Sequence, residues 1–258
     1  IAGSTNVTKF VYNALGELTQ STDPDNHSTS YSYNNFGQKT SRIHPDSGTD
    51  RYTYDLAGNL INRQTQDLIN NSMIINYVYN YNQMITIHYP KNPENDVYYF
   101  YGDYNASDNR KGRVWAIEDA SGRQEISYGS MGEVNKNIRT FVLPNEQNTY
   151  TFTMGFEYDS WNRIQRTNYP DGEVLSYFYN TGGLLKSMSS TYNGQNYNYI
   201  GGIEYNKFEK RKSIFYGNGA YTNYTYDILQ RLTHLESMSA SGMMQQIDYS
   251  FDNANNIE

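Results

Sequence analysis

An aromatic residue followed by a polar turn recurs along the whole chain of 258 residues. Each copy has an aromatic anchor, a four-residue turn opened in most copies by Asp or Asn, and in most copies an apolar residue six positions after the anchor. Several steps between neighbouring anchors are 21 residues long. Such self-similarity predicts a repeat architecture built from one short unit. The anchors are Tyr12, Tyr33, Tyr54, Tyr79, Tyr128, Tyr158, Tyr179, Tyr205, Tyr226 and Phe251.

The turn after each anchor has a clear physical logic. An Asp or Asn side chain at its first position accepts hydrogen bonds from backbone N–H groups inside the turn, and Gly at its fourth position adopts positive φ cheaply. This pattern predicts a hairpin built on a type I turn with a glycine bulge. Gln83, Glu209 and Gln230 break the rule, so we expect those turns to be strained or differently built. The turn residues are Asn13, Gly16, Asn34, Gly37, Asp55, Gly58, Gly132, Asp159, Asn162, Asn180, Gly183, Asp227 and Asp252.

Two positions around each anchor are apolar. The residue two before the anchor, such as Tyr52, lies on the same strand face as the anchor because side chains alternate along a strand. The residue six after it, such as Leu60, lies on the returning strand. Lys39 and Arg211 are the exceptions at that second position. The pattern therefore predicts one packed face across both strands of each hairpin.

A second turn closes each unit from the other end. Pro45-Asp46-Ser47-Gly48 and Pro170-Asp171-Gly172 supply Pro where φ is fixed and Gly where φ is positive. Ten or eleven hairpins follow in series. Since one hairpin alone is marginal in water, we expect them to pair side by side into one long curved antiparallel sheet. The prediction is an all-β chain with no helices, and one repeat region over residues 1–258, with enlarged loops at 89–109 rather than a domain boundary.

Composition narrows the functional classes. The hydrophobic fraction is 37% and the mean hydropathy is −0.83, but 16% of the residues are aromatic, which suits a sheet wetted on both faces. We expect the tyrosine rings to pack beside one another while their hydroxyls reach water. The net charge of −7 and thinly spread cations argue against a nucleic-acid partner. Without an apolar run of about 18 residues, we expect no membrane insertion.

The repeat resembles a known family. Tyr54-Asp55-Leu56-Ala57-Gly58 and Tyr158-Asp159-Ser160-Trp161-Asn162, followed by Tyr169-Pro170-Asp171-Gly172, are similar to the YD repeats of the RHS family. That family includes bacterial polymorphic toxins, cocoon-forming subunits of insecticidal toxin complexes, and teneurins. The resemblance runs from Phe10 to Ile257. It implies hairpins coiled into a spiral sheet that forms part of a hollow shell.

The resemblance also implies a function. The chain would be a non-catalytic wall of a secreted or cell-surface protein, and the shell would encapsulate a C-terminal cargo or toxin domain. Its partners would be the remainder of its own polypeptide and a secretion machinery. Self-cleaving members end in a core segment of the type Tyr-Tyr-Asp-Pro that this sequence lacks, so we expect a piece of a larger protein.

Other chemistry is weakly indicated. The chain has no Cys, its four His are scattered, and Asp103–Asp108 lacks the Gly and Glu of a calcium loop, so we expect no metal, cofactor or catalytic residue. His44-Pro45-Asp46 is expected to begin a turn. The alternative function is a carbohydrate-binding or adhesive repeat module, in which exposed Tyr and Asn contact sugars. That alternative is weakened because such repeats rely on Trp, and the chain has only two.

Overall fold

The computed structural model describes residues 7–143 and 148–257, which form 21 strands and two short helices. The strands are β1 (Lys9–Tyr12), β2 (Leu18–Thr22), β3 (Ser28–Tyr33), β4 (Lys39–His44), β5 (Gly48–Tyr54), β6 (Leu60–Gln64), β7 (Ile75–Asn80), β8 (Gln83–His88), β9 (Val97–Tyr101), β10 (Val114–Asp119), β11 (Gly122–Tyr128), β12 (Val134–Val142), β13 (Thr149–Tyr158), β14 (Ile164–Asn168), β15 (Val174–Tyr179), β16 (Leu185–Tyr192), β17 (Gln195–Tyr205), β18 (Arg211–Tyr216), β19 (Tyr221–Tyr226), β20 (Leu232–Ser239) and β21 (Gly242–Asp248).

Strands that are consecutive in the chain pair with each other. β1 to β11 pair successively, as do β13 to β21, and every one of these pairs is antiparallel. All 21 strands belong to one sheet. The predicted all-β series of hairpins is confirmed. After β21, a single antiparallel bridge joins Phe251 to Ile257 where the next hairpin begins.

The register places each anchor opposite the residue six positions later. Tyr54 pairs with Leu60 across the β5–β6 turn, and the register shifts between Thr53 and Tyr54. This shift is the bulge that the turn pattern predicts. Tyr79 departs from the rule because it pairs with Met84.

The prediction of no helices is wrong at two places. Residues Gln66–Asn70 form one turn of helix, α1, between β6 and β7, and Leu68 of this helix is buried. Residues Pro93–Asn95 form a 3₁₀ turn before β9. Each is too short to show the helical period in its sequence. The enlarged loop expected before Gly112 is present, since β9 ends at Tyr101 and β10 begins at Val114.

The chain divides into two units. The first comprises Ile1–Ala106, Arg110–Glu125 and Thr140–Tyr150, and the second comprises Ser107–Asn109, Ile126–Arg139 and Thr151–Glu258. Repeat anchors occur in both units, with Tyr54 in the first and Tyr179 in the second. The single repeat region inferred from the sequence stays a prediction.

The strands bury little apolar surface. Within the described residues, substantial contacts between elements join consecutive strands, and α1 with β5 and β6. The buried apolar residues of that part of the chain are Leu68, Ala116, Leu175 and Ile214. The strands therefore form a single layer without a conventional core.

Candidate functional site

The turn that follows each anchor is the most regular polar arrangement in the molecule. In the β5–β6 turn, the Asp55 Oδ1 atom accepts the backbone N–H of Ala57 at 2.9 Å and that of Asn59 at 2.8 Å. The Gly58 N–H donates to the Asp55 carbonyl, and the Asp55 N–H donates to the Asn59 carbonyl. The side chain and backbone of Asp55 together form hydrogen bonds with four backbone groups of the turn. The same Oδ1 bonds occur at Asn13, Asn34, Asp159, Asn206, Asp227 and Asp252.

The fourth turn position adopts positive φ wherever the turn is regular. Gly58 has φ of 89° and Asn162 has φ of 58°, as the sequence predicts. The same holds for Gly16, Gly37, Gly132, Gly183 and Asn255. Glu209 and Gln230 both adopt φ of 62°, so these turns keep the shared geometry and carry strain.

The β7–β8 turn is differently built. Asn80 pairs directly with Gln83 at its base. The positive φ falls on Tyr81, at 56°, rather than on the fourth position.

Gly129 opens its turn without a side chain, and Glu133 replaces the missing carboxylate. The Glu133 Oε2 atom accepts the Met131 N–H at 2.9 Å, which is the bond that Asp or Asn accepts elsewhere. A Cβ atom at position 129 would collide with the Glu133 carboxylate. Gly129 and Glu133 are therefore a matched pair.

In most turns the side chain at the fifth position forms a hydrogen bond with the side chain at the first, a pairing that the sequence reasoning missed. Where the first residue is Asn, its amide can donate to an oxygen of that side chain, as in Asn34 to Gln38 at 2.7 Å. The turns opened by Asn180 and Asn206 have Leu184 and Lys210 at the fifth position and lack this bond. Where the first residue is Asp, its second oxygen accepts from a donor, as from Asn59 at 2.8 Å or Arg163 at 2.8 Å. The signal was present in the sequence as donor and acceptor complementarity four residues apart. The other pairs are Asn13 with Glu17, Asp23 with His27, Asp227 with Arg231 and Asp252 with Asn256.

These bonds stabilise the charged form of the turn carboxylates. The side-chain bond from Asn59 is the largest influence lowering the pKa of Asp55, and the bond from Arg163 does the same for the pKa of Asp159. A hydrogen bond donated to a carboxylate favours ionisation. The turn aspartates are accordingly held as anions, with their lone pairs already occupied.

Each regular anchor tyrosine is bonded to the hairpin before it. The Tyr54 hydroxyl donates to the Lys39 carbonyl at 2.9 Å, and the Tyr179 hydroxyl donates to the Ile164 carbonyl at 2.7 Å. The hydroxyls of such anchors, which the sequence places toward water, thus donate to backbone carbonyls. Burial of the ring raises the pKa of Tyr54. The same bond joins Tyr33 to Leu18, Tyr158 to Val134, Tyr205 to Leu185 and Tyr226 to Arg211.

The accepting carbonyl always belongs to the position six after the preceding anchor. Because the bond uses the backbone, Lys39 and Arg211 can occupy that position without breaking it. Their cationic side chains lie near tyrosine rings instead, Lys39 at 5.2 Å from the ring centre of Tyr52 and Arg211 at 5.4 Å from that of Tyr224. Both distances allow a cation–π interaction.

Arginines at the fifth turn position also reach the next hairpin. The Arg163 guanidinium lies 4.3 Å from the ring centre of Tyr179, and that of Arg231 lies 4.6 Å from the ring centre of Phe251. Each arginine thereby connects the aspartate of its own turn to the following anchor. The site residues predicted from sequence are thus brought together in structural links within and between hairpins.

Candidate chemical groups are sparse elsewhere in the described residues. Asp23, Asp25 and His27 place one ligand atom each within 4.8 Å of one another, all exposed. The Asp23 oxygens already accept the N–H groups of Asp25 and His27 and contact the His27 ring. The cluster is therefore the turn between β2 and β3, which has the same hydrogen bonds as the turns after the anchors. His44 Nδ1 accepts the N–H groups of Asp46 and Ser47, which agrees with a turn there and makes His44 a cap.

A buried charge cluster lies in the first unit. Asp50 is 4% exposed, and its Oδ2 atom lies 2.7 Å from Arg42 Nη2. Arg42 and Asp50 are paired across β4 and β5, and Arg63 lies 3.9 Å from the other oxygen. The Asp50 carboxylate therefore lies between two guanidinium groups that come from the two neighbouring strands. The arrangement ties strands together.

Comparisons with known proteins agree with this architecture. Residues 12–49 match the model of the family described as RHS Repeat. They span the turns at Asn13 and Asn34 and the strands β2 to β4.

Residues 12–49 therefore resemble an RHS repeat.

Solved structures extend the likeness of the fold beyond those residues. Over 98% of its length it is similar to the crystal structure of TcdB2-TccC3, with a TM-score of 0.80 and 16% identity. TcdB2-TccC3 without its hypervariable C-terminal region matches at a TM-score of 0.79 and 16% identity over 98% of the chain. The structure of the Tc holotoxin pore of Photorhabdus luminescens, which carries a TccC3 mutation, also matches. Its TM-score is 0.79 and its identity is 17% over 98% of the chain. The predicted resemblance to RHS proteins and their fold is confirmed.

The chain is much shorter than those proteins. It spans 14%, 14% and 13% of the three matched chains, respectively. No curated protein matches it significantly. In the described residues, no helix has the length and apolarity needed to cross a bilayer.

Proposed function

We propose that the chain is a non-catalytic wall segment of a hollow shell, and that the shell encloses a C-terminal cargo or toxin domain of the same polypeptide. The observation that carries this proposal is the single layer of strands. A domain that hosts a catalytic centre usually has two or more packed layers around a core. Here four apolar residues are buried in the described part of the chain, and consecutive hairpins supply nearly all contacts.

The links between hairpins suit a load-bearing wall. Each regular anchor joins its hairpin to the previous one through a hydroxyl-to-carbonyl bond of 2.7 to 2.9 Å. Hydrogen bonds of this kind contribute about 1 kcal/mol each. In a repeat array, stability is a sum of unit and neighbour terms, so many such links stabilise an extended sheet without a core.

The polar groups that could react are occupied structurally. The turn aspartates accept two backbone N–H groups each, and Asp50 is paired with Arg42. The similar Tc proteins include one described with a hypervariable C-terminal region. By likeness to them, we place this wall in a secreted or surface protein whose partners are further repeats and a cargo segment of its own chain, exported by a secretion machinery.

Protease protection tests the enclosure. The full-length polypeptide containing this chain would be treated with a non-specific protease, and the survival of its C-terminal segment followed by mass spectrometry. The matched control is the same polypeptide with residues 1–258 deleted. Survival of the C-terminal segment only when the wall is present supports enclosure. Equal digestion in both proteins would contradict it.

A further inference from the structure

A groove of about 1040 Å³ lies in the second unit, where β17 continues past the end of β18. Pairing between these strands starts at Ile200 and Tyr216, and the Gly217 N–H donates to the Tyr199 carbonyl. Gly217 also lies against the Asn198 carbonyl, which a Cβ atom at position 217 would strike. Gln195–Tyr197 lie beyond this point. The short β18–β19 hairpin therefore leaves the end of β17 without a neighbour on one side.

The other side of this segment is fully paired. Gln195 pairs with Tyr192, and Asn198 pairs with Ser189, both on β16. No strand pairs with the groove side of Gln195–Tyr197 in the part of the chain that the structure describes. The segment is thus a free strand edge of three residues, and such edges are templates for a further strand.

The groove follows that edge. Four consecutive residues, 196 to 199, line it. Side chains alternate between the two faces of a strand, so a groove on one face would be lined only by every second residue. Because the lining includes all four residues from 196 to 199, we infer that the groove also borders the backbone of the strand.

Nothing protects this edge in the usual ways. Natural edges carry Lys, Pro or inward charges that prevent pairing, whereas Gln195-Asn196-Tyr197 carries none of them. The opposite wall is formed by Met238, Met244 and Gln245 of the β20–β21 hairpin. Tyr197 is 45% and Met244 is 66% exposed. No residue that lines the groove is charged.

We propose that this groove binds an extended, uncharged peptide segment, which adds as a strand to Gln195–Tyr197. The partner's backbone pairs with the edge, and its apolar side chains contact Tyr197 and Met244. β17 and β20 are three strand spacings apart, roughly 14 Å. That width accepts an added strand with its side chains.

Strand addition draws its affinity from main-chain hydrogen bonds. The groove would therefore tolerate many sequences that are extended and uncharged. Identifying the natural segment as cargo rests on the proposed function, whereas the peptide site does not.

Isothermal titration calorimetry on the whole chain tests the site. The probe is an end-blocked octapeptide of alternating Val and Thr. A second probe carries N-methyl groups on alternate amides, and a third is the neutral sugar cellohexaose. We expect the first peptide to bind, the N-methylated peptide to bind at least tenfold more weakly, and the Asn196 amide to gain protection from hydrogen exchange.

Two matched variants locate the site. Met244→Lys should weaken peptide binding at least fivefold, because it places a charge in the uncharged groove. Met243→Lys changes a neighbouring residue that is 59% exposed but does not line the groove, and should alter binding less than twofold. Circular dichroism verifies that both variants fold.

The contradicting outcomes are distinct. Absence of peptide binding, equal binding of the N-methylated peptide, or equal loss in both variants would each overturn the site. Binding of cellohexaose instead of peptide would make the groove a sugar site. Self-association of the chain with no peptide binding would make it a dimer edge. A shell found to lack an enclosed segment would refute the proposed function and leave the calorimetry result standing.

Discussion

The hydroxyl of Tyr179 donates a 2.7 Å hydrogen bond to the backbone carbonyl of Ile164, in the hairpin before its own. Tyr179 is an anchor, and Ile164 is six residues after the preceding anchor, Tyr158. The same relationship recurs through the repeat, which makes the anchor a connector between hairpins as well as a packing residue. Tyrosine is needed for this role because phenylalanine offers the same ring without a donor.

Replacing Tyr179 by Phe should destabilise the second unit by about 1 kcal/mol, because the carbonyl of Ile164 loses this partner. The matched control is Tyr79→Phe, since the Tyr79 hydroxyl makes no hydrogen bond with the described residues and its hairpin has another register. Urea unfolding followed by circular dichroism gives both free energies. Equal losses in the two variants would refute the connecting role. Tyr54→Ser and Tyr179→Ser should cost more, as ring and bond are both lost.

Gly58→Val should cost about 1 to 3 kcal/mol, whereas Gln83→Val should cost little. The φ angle of Gly58 is 89°, which a β-branched residue rarely adopts, and the positive φ of the Gln83 turn falls on Tyr81. Thermal unfolding of the two variants provides the comparison. If both tolerate Val equally, the turn assignment fails.

Glu209→Gly should stabilise the chain by several tenths to about 1 kcal/mol. Glu209 adopts φ of 62° at a position where other turns use Gly, so the substitution removes strain that outweighs the added freedom of the unfolded chain. Glu204→Gly, in the interior of β17, is the control and should be destabilising. Chemical unfolding distinguishes these signs, and a destabilised Glu209→Gly variant would show that the angle carries no strain.

Asn13→Asp should destabilise its turn by several tenths of a kcal/mol, since it places two carboxylates together where Asn13 now donates to Glu17. Glu17→Asn in the same chain should restore stability by reproducing the Asp55 and Asn59 pair. Asn34→Asp is the control, because the Gln38 amide can rotate and donate. A double-mutant cycle at neutral pH measures the coupling. Zero coupling would contradict the inferred pairing between the side chains at the first and fifth turn positions.

His234 should make stability dependent on pH. Its Nδ1 atom lies 2.6 Å from Asp248 Oδ1, and this bond, with further attraction from Glu236, raises the pKa of His234 above 6.5. The folded state then holds the proton more tightly, so the contribution is full below the unfolded pKa and lost as pH rises through the folded one. The pKa of Asp248 is lowered by the same bond, so its contribution is lost as pH falls through the folded value of that carboxyl.

We therefore expect His234→Gln to lower the unfolding midpoint at pH of about 5.5 and to leave it unchanged at about 9. Thermal unfolding at the two pH values measures this, and the imidazole titration by NMR gives the direction independently. A loss of equal size at both values, or a titration below the ordinary midpoint, would contradict the ion pair.

The sequence was sufficient for the hairpins because their chemistry is local. Asp55 and Gly58 lie within one turn, and their roles follow from the conformations that these residue types allow. The bond from Tyr179 to Ile164 was not predictable in this way. It joins residues 15 apart, whereas the Tyr158 bond joins residues 24 apart, so it depends on how neighbouring hairpins align.

Exceptions in the repeat required the structure as well. Glu133 stands in for the absent turn carboxylate, and Glu209 is held at positive φ because the strands on either side fix the turn. The helix at Gln66–Asn70 has five residues, too few for an apolar period to appear. The candidate groove beside β17 arises from unequal strand lengths, which depend on pairing and not on composition.

Electron microscopy of the intact polypeptide that contains this chain tests the central claim most directly. We predict a hollow particle in which residues 7–143 and 148–257 form a wall one strand layer thick, with density for a further segment inside it. A solid particle in which a second protein layer covers these strands, or an open sheet with no interior space, would contradict the account.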